Sequence, residues 1–231
     1  MVLMSIKDTY KVESIKSKET YDWLLNKHYA KRIPSISYAF GLFEDKVLIG
    51  VCTYGFPASN GLCLGLGGIK YKKKVLELNR LCTNENIDKN ALSYFVSNTL
   101  KLLPKPMILV SFADTGQNHN GYIYQATNWI YTGLSDKHIF WDIVGETTNT
   151  HDRHRWDKYG GIDKAKEILG DKMVGTYRSQ KHRYIYFTGN KNIKKTFKKN
   201  LKGKYSIKPY PKGQNKRYDT SYKPTIQTKL F

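Results

Sequence analysis

The chain predicts an α/β domain, a mixed central sheet flanked by helices, followed by a basic C-terminal arm. Three observations carry that expectation. Short apolar runs of strand-like composition recur through the first 190 residues. Segments with apolar residues at helical spacing lie between them. Residues 192–231 then hold twelve Lys or Arg against a single acid, Asp219, and too few apolar residues to fold alone. The reading is one domain over residues 1–190 and an arm over residues 191–231 that orders against the domain or against a nucleic acid.

Along the domain, SIKSKETYDWLLNKHY (residues 14–29) sets Tyr21, Leu24, Leu25 and His28 on one side of a helix, which RIP then stops. YAFGLFEDKVLIGVCTYG reads as an antiparallel hairpin turning at EDK. The glycine-rich stretch from Gly55 to Gly68 reads as loop, with LCLGLGG as a short strand or flexible lid. VLELNRLCT is the next strand, NENIDKNAL a turn, and SYFVSNTLKLL a helix with Phe95, Val96, Leu100 and Leu103 in register. PMILVSFAD is continuously apolar, as a strand covered on both faces must be. The stretch from Gly121 to Trp129 reads as helical. HIFWDIVG and HRYIYFTG are later strands, separated by a basic, aromatic loop and a short helix.

Charge narrows the partner. A formal net charge of +20 and a pI of 9.7 exceed what a small acidic substrate requires, and point to a polyanion. Eighteen tyrosines favour nucleic acid over membrane, because rings stack on bases while lysines track phosphates. No segment has the apolar length of a membrane span, and the first residues lack a secretory pattern, so the expected location is the cytoplasm. Cys52, Cys63 and Cys82 are odd in number and widely spaced, which argues for packed thiols and against a disulfide framework or a thiolate zinc site.

The order hairpin, strand, turn, helix, strand, helix, strand resembles acyl-CoA-dependent N-acyltransferases of the GNAT type. In that family the turn after the fourth strand cradles a pyrophosphate on backbone N–H groups. Here NENIDKNALS stands in that place without the glycines of the usual Q/R-x-x-G-x-G/A pattern. The resemblance therefore assigns acetyl-CoA or a related acyl-CoA by element order to Leu81, Cys82, Asn86, Lys89, Asn90, Ala91, Ser93 and Asn128. The same family places a tyrosine in the following helix to protonate the departing thiolate, and YQATNW offers Tyr124.

The set HYAKRIP, AFGLF, LIGVCTYG, ELNRL, SFADTG, GYIYQATNWIYTG and KHRYIYF is similar to the Mom family of bacteriophage DNA-modification proteins, a diverged GNAT branch. The resemblance runs over residues 20–190 and is most specific in the middle third. It implies an enzyme that adds a carbamoylmethyl group (methylcarbamoyl or acetamido) to N6 of adenine in phage DNA, shielding it from host restriction. It also implies a catalytic group of His28, Tyr29, Asp114 and Tyr124. The chemistry is consistent: N6 is a weak nucleophile that must lose a proton, which Asp114 at a strand end can accept. Tyr29 can stack on or orient a base.

Adenine N6 lies in the major groove of a duplex, so the base must be flipped out to enter a transferase cleft. Arg32, Arg153, Arg155, Arg178, Lys181 and Arg183 are the candidates to hold phosphates of double-stranded DNA around it. His28, Asp114 and His119 also have the residue types of an iron or other metal site, without a supporting spacing, and His151 with His154 reads as loop. Two other functions fit the same chain. One is a GNAT-type acyltransferase acting on RNA or on an already modified base. The other is a non-enzymatic phage DNA-binding protein whose donor site has decayed.

Overall fold

Period-two burial and turn chemistry organise most of the chain into strands. The computed structural model describes residues 5–146, 154–202 and 205–213. It divides into two units, one built from the residues up to Ser135 together with those from Lys181 onward, the other from Asp136–Gln180. The strands are β1 (Tyr10–Ser14), β2 (Tyr38–Glu44), β3 (Val47–Gly55), β4 (Val75–Thr83), β5 (Ile108–Asp114), β6 (Ile130–Leu134), β7 (Ile139–Ile143), β8 (Met173–Tyr177) and β9 (Lys181–Phe187). The helices are α1 (Ile6–Thr9), α2 (Asn60–Tyr71), α3 (Ala91–Leu102), α4 (Tyr122–Ala126), α5 (Ile162–Leu169) and α6 (Lys191–Lys202).

In the first unit seven strands form one mixed sheet in the order β1-β2-β3-β4-β5-β9-β6. The β2–β3 hairpin closes on Asp45 and Lys46, both at positive φ, the turn geometry that matches strand twist. Only β4 and β5 run parallel, joined by the α3 crossover. Their register covers Val75–Glu77 against Ile108–Val110 and no more, so the two strands part beyond that point. On one face the main core packs Phe95, Val96 and Leu100 of α3 and Tyr124 of α4 against Leu76, Leu78 and Leu109. On the other, α2 and α6 cover Val75, Ile108, Val110 and Ile185. This is the mixed α/β sheet flanked by helices that the sequence predicts, with the expected order of elements.

Several local expectations change. Residues 14–29 do not form one helix: β1 ends at Ser14, a 3-10 turn covers Ser17–Thr20, and Trp23–Lys27 is a π-turn closed by the His28 N–H donating to the Trp23 carbonyl at 2.9 Å. Burial of Trp23 and Leu24 against Val51 and Cys82 sets that geometry, and Leu25 is left exposed. The stretch read as loop or lid is largely helix α2. Ser59 caps it by accepting from the Leu62 N–H at 3.1 Å, and Cys63 and Leu66 bury one helical turn apart. Gly68, at φ 60°, kinks its end.

The basic segment also contributes to the first unit. α6 exposes Lys191, Lys194, Lys195, Lys198 and Lys199 but buries Phe197 and Leu201 completely, with the Phe197 ring 5.1 Å from Tyr71 and 5.7 Å from Phe187. Farther on, the Lys208 N–H donates to the Tyr131 carbonyl at 3.0 Å and the Tyr210 hydroxyl to the Trp129 carbonyl at 2.6 Å. Two apolar anchors in a helix of lysines are enough to dock it.

The second unit pairs β7 with β8 antiparallel and carries α5, with Ala165 buried. The chain leaves the large sheet at Ser135 and re-enters at Lys181, where these two residues exchange bonds: Ser135 N–H to the Lys181 carbonyl (2.8 Å) and Lys181 N–H to the Ser135 hydroxyl (3.0 Å). All three cysteines are buried and none forms a disulfide. No helix among the described residues is long and apolar enough to cross a membrane.

Truncating Phe197 to Ala should lower unfolding free energy by about 3 to 5 kcal/mol, the usual cost of emptying a buried phenyl site. Urea denaturation of the intact chain measures it, and a loss under about 1 kcal/mol would show that α6 is not part of the first unit's cooperative core.

Candidate active site

The parting of β4 and β5 makes an opening in the middle of the sheet, and the chain fills its margins with polar side chains. A bulge selects which ones. Thr53 pairs with Arg80 and Tyr54 with Leu78, leaving Asn79 as the extra residue in β4. Without it, Glu77 and Arg80 would point to opposite faces. With it, both face the side of Thr53 and Gly55. The Asn79 side chain accepts from the Thr53 hydroxyl (2.6 Å) and donates to the Ser35 carbonyl (2.8 Å), fastening the loop after His28 to the sheet. A Cβ at Gly55 would overlap that same Ser35 carbonyl, so glycine is what permits the approach.

His28 begins that loop. Its Nδ1 accepts the Ala30 N–H at 3.1 Å, which leaves the neutral ring with its proton on Nε2. Burial, reinforced by the nearby Arg80 and His119, pushes the imidazole down to about 3. Its ring stacks on Tyr29 with centroids 4.5 Å apart, and the Tyr29 ring meets His119 edge-on at 6.2 Å. Burial, then the Asp114 carboxylate, raises the Tyr29 phenol to about 12. Both rings therefore stay uncharged and Tyr29 keeps its proton near neutrality.

Asp114 ends β5 and caps the following turn by accepting the Gly116 N–H at 2.9 Å. Its second oxygen lies 3.7 Å from the Lys181 ammonium, its register partner on β9. The Asp114 side chain retains 14% exposure, so the carboxylate is sheltered but reachable. Glu77 is shifted upward by burial, offset by the charges of Arg80, Lys181 and Arg32.

Tyr124 approaches from the opposite face. Its ring packs 5.1 Å from Tyr184 and 5.2 Å from Trp129, and its hydroxyl lies 2.7 Å from that of Ser111. The Ser111 hydroxyl is also 2.7 Å from the Leu78 carbonyl, which can only accept. Its one proton is committed there, so the Tyr124 hydroxyl is the donor to Ser111. Burial raises the Tyr124 phenol well above its ordinary value.

The four residues expected to act together thus gather at this opening, Tyr124 from the core side and the other three from the opposite face. Sequence reasoning missed Glu77, Arg80 and Ser111, since nothing in ELNRL announces a bulge and a strand serine is an ordinary core-edge residue. The donor-site residues divide. Ala91 and Cys82 are buried, Leu81 packs on the main core, and the Ser93 hydroxyl donates to the Asn90 carbonyl at 2.9 Å. Asn86, Lys89, Asn90 and Asn128 present exposed side chains. Packing of the strand and of the first turn of α3 leaves Leu81, Cys82 and Ala91 only their backbone to offer.

The cationic candidates divide as well. Arg32 is exposed on the loop after Tyr29. Arg183 lays its guanidinium 4.6 Å from the Tyr205 ring. In the second unit Arg178 is exposed over Phe140. Arg155, expected at a phosphate, is instead buried there, pairing with Asp142 at 2.7 Å and donating to the Trp141 carbonyl at 3.2 Å. A guanidinium so engaged holds its own unit together. Arg153 and His151 lie outside the described residues. The iron site suggested by His28, Asp114 and His119 does not form: among the described residues no three His, Cys, Asp or Glu side chains are grouped to hold a metal. His28 Nδ1 and one Asp114 oxygen are taken by backbone N–H groups, and the Tyr29 ring contacts both histidines.

Because the unfolded chain takes up a proton on His28 before the folded one does, stability is full above the ordinary histidine value and drains as pH falls toward 3. Between about pH 6.5 and about pH 4.5, His28 alone should remove roughly 2 to 3 kcal/mol. His28→Asn keeps an acceptor for the Ala30 N–H without the titrating ring, so its melting temperature should fall less steeply over that interval. Parallel slopes would mean the imidazole is not the source.

A family model described as the Mom protein family matches residues 9–212. Over 207 residues, 87% of this chain and 83% of the other, the sequence is 26% identical to the methylcarbamoylase mom of Escherichia phage Mu. Among solved structures it is similar to an N-acetyltransferase of Staphylococcus aureus Mu50 (12% identity, TM-score 0.41, 77% of this chain and 98% of that one). It is also similar to a GNAT family acetyltransferase of Elizabethkingia anophelis with acetyl-CoA bound (11% identity, TM-score 0.40, 78% and 99%). With the family match running from before β1 to Lys212, this chain belongs to the Mom family.

Proposed function

We propose that the chain modifies N6 of adenine in DNA with acetyl-CoA or a related acyl-CoA as cosubstrate. Acetyl transfer alone gives N6–C(O)CH3, so the methylcarbamoyl-type product, N6–CH2–C(O)NH2, also requires an amine-bearing co-reactant to supply its amide nitrogen. The observation that carries this reading is the gathering of Asp114, Tyr29, His28 and Tyr124 at one opening of the sheet in a member of the Mom family. The methylcarbamoyl group is taken from the name of the phage Mu relative. Such a modification would shield phage DNA from host restriction, and the enzyme would work in the host cytoplasm.

In this mechanism Asp114 accepts the proton that N6 loses as it bonds to the donor carbon. One of its oxygens is fixed by the Gly116 N–H, and the other has a cation beside it. Neutral His28 offers an Nε2–H donor to the substrate, and Tyr29, held protonated, orients the base by its ring and hydroxyl. Tyr124 would supply the proton to a thiolate leaving the acyl carbon, since turning its O–H away from Ser111 would expose an acid that burial keeps protonated. The donor's pyrophosphate would meet Asn86, Lys89 and Asn90 and the backbone at the start of α3, with Asn128 on the far side. The adenine arrives flipped from double-stranded DNA, its phosphates held by Arg32, Lys181 and Arg183.

Mass spectrometry of nucleosides from cells expressing the chain should show a mass-shifted deoxyadenosine. A modified RNA nucleoside with unmodified DNA would transfer the reading to RNA, and no modified nucleoside at all would leave a DNA-binding protein. Asp114→Asn keeps the turn cap and removes the base, and Tyr124→Phe keeps the ring and removes the proton. Each should lower modification by about 10² to 10⁴. Tyr124→Phe should cost about 1 kcal/mol of stability at most, the net value of a hydrogen bond. A large melting-temperature drop with activity retained in the folded fraction would make Tyr124 a packing residue. Changing exposed Lys194, Lys195, Lys198 and Lys199 together to Gln should flatten the slope of log K against log salt for DNA by about 3 to 4, provided α6 lies on the backbone. An unchanged slope would remove α6 from the interface.

A further inference from the structure

Between Gly55 and Pro57, both buried, the Phe56 side chain stands 53% exposed. Its backbone is held on both sides. Gly55 is the last β3 residue paired to β4, opposite Glu77 at the margin of the site, and it presses on the Ser35 carbonyl that Asn79 also holds. Two residues before Ser35, Ile33 is 39% exposed and follows the exposed Arg32. A single exposed apolar side chain is ordinary. Here two of them, one an aromatic ring, occupy adjoining loops, with the exposed Arg32 next to Ile33 and close enough to Glu77 and Tyr29 to act on both electrostatically.

Extruding a base leaves a gap in the stack and costs a few kcal/mol per step. Proteins that deform duplexes meet that cost by inserting an apolar side chain between base steps. A wedge has to be apolar, exposed before binding, rigidly mounted and next to the pocket that receives the base. Phe56 is apolar and exposed, its chain neighbours Gly55 and Pro57 are buried, and Gly55 pairs opposite Glu77 at the margin of the opening. We propose that Phe56 is the wedge that enters the duplex as the target adenine leaves it, with Ile33 beside it and Arg32 on the flanking phosphate. The inference rests on the DNA reading above and adds to it the means by which the base is extruded.

The test starts from an adenine that the wild-type chain modifies in cells, built into a duplex with 2-aminopurine in its place, a probe whose emission rises when it unstacks. Wild-type protein should raise the emission several-fold on binding, with no donor required. Phe56→Ala should bind the duplex nearly as well by anisotropy yet lose most of the rise. Phe56→Leu should retain it, and an abasic site opposite the probe, which removes the pairing partner, should restore it to Phe56→Ala. Equal rises in wild type and Phe56→Ala would overturn the wedge while leaving the DNA reading standing. A wild-type complex without a rise would overturn it too, and so would a Phe56→Ala protein that has lost binding, since Phe56 would then be a contact. Absence of modified adenine in cells would remove the DNA reading and the wedge together.

Discussion

One buried hydroxyl stands where the sheet changes character. β4 and β5 pair only through Glu77 and Val110, and immediately beyond, Ser111 reaches across to the Leu78 carbonyl. Separating two strands exposes backbone groups that must find partners, and in a core this costs as much as a lost hydrogen bond for each group left alone. Ser111 answers for the Leu78 carbonyl, and Tyr124 completes the hydroxyl chain from the helical side. The opening can then exist in the middle of the large sheet without unzipping the strands that frame it. Core clusters cover both faces of the paired portion, and the polar side chains of Glu77, Arg80, Ser111 and Asp114 lie at or beyond its end.

The electrostatics follow from the same division. Glu77, Arg80, Asp114 and Lys181 alternate in sign around the opening, so partial burial is tolerated where four like charges would repel. The aromatic and imidazole side chains among them stay neutral because they lie where water is scarce.

Most of the sheet was legible because strand periodicity and turn residues are local. VLELNRLCT and PMILVSFAD are strands nearly residue for residue, and the hairpin turns at Asp45 and Lys46. The failures occurred where tertiary contacts decide. α2 is glycine-rich and becomes a helix because Ser59 caps it and α6 covers it. The basic segment, expected to order against the domain or a nucleic acid, orders against the domain as helix α6 through Phe197, Leu201 and Ile193, a helix its composition does not announce. In the site, Asp114 and Tyr124 stood out by position. The partnership of Glu77 with Arg80 depended on a one-residue bulge, which leaves no composition signal.

The clasp between Ser135 and Lys181 has a bearing on how this architecture can vary. The forty-five residues between them depart from and return to one point of the large sheet, where Ser135 and Lys181 exchange two hydrogen bonds. Register between β6 and β9 is therefore indifferent to what hangs from the clasp, and the entropic penalty for closing a longer or shorter excursion grows only logarithmically with its length. Residues between the two can therefore change in number while the sheet that bears Asp114 and Tyr184 keeps its register.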